Sequence, residues 1–84
     1  MAVKAYVLIE CEVGTARAVA EKVTNLSSKA ARVLQVDTVT GPYDIIAQLE
    51  SDDLNKMGSC ITETIQPVHG VKRTTTCLSL DLSG

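Results

Sequence analysis

Eighty-four residues make one domain, too small to bury more than about 60–65% of the surface its unfolded chain exposes. With 45% hydrophobic residues the chain is no disordered segment, and with Tyr6 and Tyr43 as its only aromatics the core has to be aliphatic. A net charge of −2 and no basic run argue against direct binding of nucleic acid, which needs Lys and Arg to displace phosphate counterions and aromatic platforms to stack bases.

Residues 3–11 alternate, with Val3, Ala5, Val7, Ile9 and Cys11 on one face and Lys4, Tyr6, Leu8 and Glu10 on the other. The period of two and the β-branched content predict a strand. Its second face is apolar at the centre, at Tyr6 and Leu8, so a strand covered on both sides is expected, by helices on one and a second sheet on the other. Gly14 or Thr15 then opens a helix, in which Ala16, Val19, Ala20, Val23 and Leu26 repeat at helical spacing and Arg17, Glu21 and Lys22 face solvent.

Residues 31–40 predict a second strand carrying Val33, Leu34, Val36 and Val39. Gly41-Pro42 is a turn signal. A third strand over 43–50 places Tyr43, Ile45, Ala47 and Leu49 on one side and Asp44, Ile46, Gln48 and Glu50 on the other. So short a connection makes the two strands an antiparallel hairpin. Ser51-Asp52-Asp53 reads as a helix start, with acids where the helix dipole favours them, and Leu54, Met57, Ile61 and Thr64 or Ile65 form the expected buried stripe. Pro67 ends that helix. The last strand is expected from Val71 to about Leu82, with β-branched Thr74-Thr75-Thr76 near its start and room to reach onto a partner.

The order β-α-β-β-α-β predicts an α+β, ferredoxin-like fold with a four-stranded antiparallel sheet, both helices on one face and the other face open. Strands one and three are central in this topology. A core this small gains by burying one more face against a second copy, so a homodimer is expected, paired through Tyr6 and Leu8. No internal linker or low-complexity tract divides residues 1–84. No apolar run approaches the ~20 residues of a membrane span, and the N-terminus lacks the parts of a signal peptide. The expected compartment is the cytoplasm.

Three separated cysteines, Cys11, Cys60 and Cys77, do not form a disulfide pattern and are expected as small buried thiols. His69, the single histidine, falls in the 67–70 loop and makes a poor metal site alone. No nucleophile–base motif, zinc spacing, phosphate loop or dinucleotide fingerprint occurs. No catalytic residue, metal or cofactor is therefore expected.

The hairpin Val39-Thr40-Gly41-Pro42-Tyr43-Asp44-Ile45-Ile46-Ala47 is followed by Ser51-Asp52-Asp53-Leu54 and by Gly70-Val71-Lys72-Arg73-Thr74-Thr75-Thr76. In this order the three segments resemble the effector-binding domain (the regulation-of-amino-acid-metabolism domain) of the Lrp/AsnC transcription regulators, over nearly the whole chain. The resemblance implies pairing sheet to sheet into a dimeric α/β barrel, closure of dimers into rings such as octamers or decamers, and small effectors, usually amino acids, bound between dimers. It implies a hairpin part of the site at Thr40, Gly41, Pro42, Tyr43 and Asp44, with Pro42 affecting which side chain fits, and a second part at Thr74 and Thr76. Because the resemblance starts at the first strand, it implies a version without the family's helix-turn-helix domain, sensing an effector or co-assembling with full-length regulators. Residue by residue, other readings stay open: Asp44 as a turn carboxylate bonding nearby amides, Gly41 as a turn glycine, Thr74 and Thr76 as half-buried strand residues. A purely structural adaptor, a small dimeric-barrel enzyme and an ACT-type domain are the competing functions.

Overall fold

A computed structural model describes residues 2–80. Strand β1 (Val3–Cys11) leads into helix α1 (Ala16–Thr24), then β2 (Arg32–Thr38), β3 (Ile45–Ser51), helix α2 (Leu54–Cys60) and β4 (Val71–Leu78). The four strands form one sheet in the order β2-β3-β1-β4, with every neighbouring pair antiparallel. This is the expected βαββαβ arrangement, with β1 and β3 central.

Alternation along the two central strands decides the core. Ala5, Val7 and Ile9 of β1 stand opposite Leu49, Ala47 and Ile45 of β3, and all six are fully buried. Val19 and Val23 of α1 and Met57 of α2 close the same cluster, with Ile61 and Ile65 just beyond α2, so both helices cover one face. Each large aliphatic side chain removed from water there contributes roughly 1.5–3 kcal/mol. The opposite face carries Lys4, Tyr6, Leu8 and Glu10 of β1, with Ile46 and Gln48 alongside, and none of the described residues covers it.

Several details depart from the sequence pattern. Tyr43 lies outside β3, because the chain bends at Asp44 and regular pairing begins at Ile45. β2 is shorter than expected and shifts register between Val33 and Gln35, which leaves Leu34 exposed. Helix α2 starts on the Asp53 cap, whose Oδ1 accepts the Lys56 amide at 2.8 Å, while Asp52 pairs with Lys56 Nζ at 3.3 Å. After Cys60 the helix widens into a π-helical turn over Ile61–Ile65, closed by the Gln66 amide on the Ile61 carbonyl, just before Pro67 stops it. Leu54 is not in the buried stripe: as the first residue after the cap it lies outside the core cluster and is 56% exposed. Cys60 is buried, Cys11 half-buried, and Cys77 exposed, because Cys77 stands opposite Tyr6 on the uncovered side of the edge strand β4. The expected extension of β4 to Leu82 runs past the described residues, and β4 itself closes at Leu78.

Candidate functional site

Asp44 ties three strands together. Its amide donates to the Ile9 carbonyl at 2.9 Å, its carbonyl accepts the Val39 amide at 2.9 Å, and its Oδ2 accepts the Cys11 amide at 2.8 Å. The first bond extends the β1–β3 ladder past Ile45, and the carboxylate then supplies the acceptor that a further rung would have given Cys11. The partner is an amide 33 residues away, so this is more than the local turn bond open to an Asp before a strand. Its other oxygen, Oδ1, accepts no hydrogen bond among the described residues. Asp44 and burial together push the Cys11 thiol up from its usual range, burial being the larger cause.

The turn before Asp44 is pinned at its end and free at its tip. Thr40, Gly41 and Pro42 are exposed and Tyr43 is half-buried. Gly41 has φ +144° with open space where a Cβ would sit, so its backbone conformation, not crowding, selects glycine there. On the open face, Pro42 and Tyr43 border a cleft of about 280 Å³ with Glu10, Arg73 and Thr75. Arg73 Nη2 lies 3.2 Å from Glu10 Oε1 across its floor.

Thr74 and Thr76 share a face, as their spacing required, but it is the helix side of the sheet. They stand opposite Ile9 and Val7, and Thr74 Oγ1 accepts from Gln66 Nε2 at 3.0 Å. Within one chain they do not meet Pro42 and Tyr43, which border the open face. Glu10, Arg73 and Thr75 are polar residues of this region that the motif reading missed; their signal was the cross-strand opposition of Glu10 and Arg73, visible only once the β1–β4 register is fixed. His69 is exposed. Among the described residues no group of His, Cys, Asp and Glu is placed to hold a metal ion, and no helix is long and apolar enough to cross a membrane.

The family model for the Lrp/AsnC ligand binding domain matches residues 4–82. The chain belongs to the Lrp/AsnC ligand-binding domain family. No curated protein matches its sequence. Among solved structures it is similar to TTHA0845 from Thermus thermophilus, at 32% identity over 94% of each chain with a TM-score of 0.83. It is similar to the hypothetical protein PHS023 from Pyrococcus horikoshii, at 29% identity over 93% of this chain and 89% of that one, TM-score 0.81. It shares its fold with the transcriptional regulator NMB0573 of Neisseria meningitidis, solved with L-Met, at 21% identity and TM-score 0.81, covering 98% of this chain and 52% of the regulator.

Proposed function

We propose that this Lrp/AsnC domain senses a small effector, a free amino acid by class, and that it does so as an oligomer. The observation that carries the reading is the split of the candidate residues across the sheet: Pro42 and Tyr43 of the turn border the open face, while Thr74 and Thr76 face the helix side. An effector touching both sets is held between subunits, each supplying one part. The solved relative in complex with L-Met supports the ligand class. A carboxylate with one unengaged oxygen suits an ammonium group, and threonine hydroxyls suit a carboxylate. The uncovered Tyr6, Leu8 and Ile46 surface supports pairing of two sheets into a homodimer. Ring closure and mixing with full-length regulators extend the same reading.

Thermal unfolding against each of the twenty amino acids tests it. A ligand at 100 times its Kd stabilises the folded state by about 2.7 kcal/mol, a rise of roughly 4–8 °C for a domain of this size. One or a few amino acids should give the shift, and Asp44→Asn should lose it while still accepting the Cys11 amide. Asp44→Ala is the poorer control, since it also strips that amide of its partner. No shift with any amino acid at saturation would sink the sensor reading and leave the structural adaptor.

A further inference from the structure

Strand β4 is irregular where it enters the sheet. Arg73 stands opposite Glu10, but Val71 stands opposite Cys11, so Lys72 is the extra residue of a bulge, with no partner across the pair. A bulge breaks the alternation of the strand and re-aims the side chain it carries. The π-helical turn ends beside it. The Gln66 amide closes that turn on the Ile61 carbonyl at 2.8 Å, which fixes the Gln66 backbone, and Gln66 Nε2 donates to Thr74 Oγ1 at 3.0 Å. A bulge and a π-turn thus meet at one place, and both kinds of irregularity recur at functional sites.

A cleft of about 300 Å³ lies there, lined by Gln66, Val71, Lys72, Arg73 and Thr74. None of these lining residues is acidic. Lys72 is exposed and has no ion-pair partner among the described residues, whereas Arg73 is engaged by Glu10 at 3.2 Å. The direction of the Gln66 bond decides what Thr74 can offer. A hydroxyl has one proton and two lone pairs. Because Gln66 gives an N–H, Thr74 spends a lone pair on it and keeps its proton to donate. An ammonium and a hydroxyl proton at one cleft suit a carboxylate. We propose that this cleft binds a carboxylate, with Lys72 supplying the charge, Thr74 donating its hydroxyl proton, and Gln66 acting as the positioning residue that keeps that proton outward. The proposal rests on the reading of Thr74 as an effector contact and adds which part of the effector it meets: the carboxylate, opposite in charge to the group that suits Asp44.

The experiment is an amide NMR titration of the full ¹⁵N-labelled chain with sodium acetate, a carboxylate and nothing more, against sodium chloride at equal ionic strength. Acetate should shift the Gln66, Lys72 and Thr74 amides saturably, and chloride should not. Lys72→Gln should weaken acetate about tenfold, as expected for loss of one charge-assisted bond, and Lys72→Arg should keep it. Gln66→Leu should weaken it severalfold in the wild-type background and have no further effect in Thr74→Val, because its role runs through the Thr74 hydroxyl. An equal effect of Gln66→Leu in both backgrounds overturns the positioning role. Unchanged acetate binding in Lys72→Gln, or no acetate shift beyond that of chloride, overturns the cleft. The unfolding scan with the twenty amino acids keeps the two readings apart. Amino-acid stabilisation without acetate binding leaves the sensor standing and sinks the cleft. Acetate binding without amino-acid stabilisation does the reverse.

Discussion

Gly70 shows how a single position constrains the fold. It has φ +101°, and a Cβ there would lie 2.7 Å from Thr15 Cβ and 2.9 Å from Val19 Cγ2. Gly70→Ala therefore suffers both backbone strain and a collision with α1, and should lose roughly 2 kcal/mol or more in urea unfolding; a loss under about 0.5 kcal/mol would contradict the packing. The cysteines separate by environment. Cys77 should react first with a thiol reagent, Cys11 slowly, and Cys60 only on unfolding. The Cys11 thiol is raised above its ordinary 9.0. As pH climbs past that value the unfolded chain gives up a proton the folded chain keeps, so stability falls with rising pH. Urea midpoints at about pH 8 and about pH 10 should show that fall, and Cys11→Ser should flatten it; an equal fall in the variant would assign it to other groups.

At the scale of elements, legibility followed period. β1 and β3 alternate strictly, and the residues grouped on one face by that period, Ala5, Val7 and Ile9 in β1 and Ile45, Ala47 and Leu49 in β3, are all buried. The helix start at Asp53 was readable because capping is local chemistry. Asp53→Ala should cost about 1 kcal/mol of stability, and a neutral result would show that α2 is held by Met57 and its neighbours alone. The π-helical turn was not readable, since nothing in Ile61–Ile65 distinguishes it from one more α-turn. Leu54 fits the helical period yet lies outside the core. In the candidate site, the turn was legible from Gly41-Pro42, but the bond from the Cys11 amide to Asp44 and the Glu10–Arg73 pair were not, because both depend on register between strands distant in sequence. Thr74 and Thr76 were placed on one face by spacing, but which face depends on how β4 docks against β1.

For the whole molecule, an 84-residue chain with an aliphatic core on one side of its sheet leaves Tyr6, Leu8 and Ile46 uncovered on the other. A small domain gains stability by association as well as by folding. Candidate residues divided between the two faces need a neighbour to complete a site, so assembly and sensing are expected together. Native mass spectrometry of the chain mixed with all twenty amino acids reads both at once. An even-numbered oligomer carrying one kind of amino acid at a fixed ratio per subunit is the expected result. A bare monomer, or an oligomer that retains no amino acid, would contradict an amino-acid sensor built between subunits.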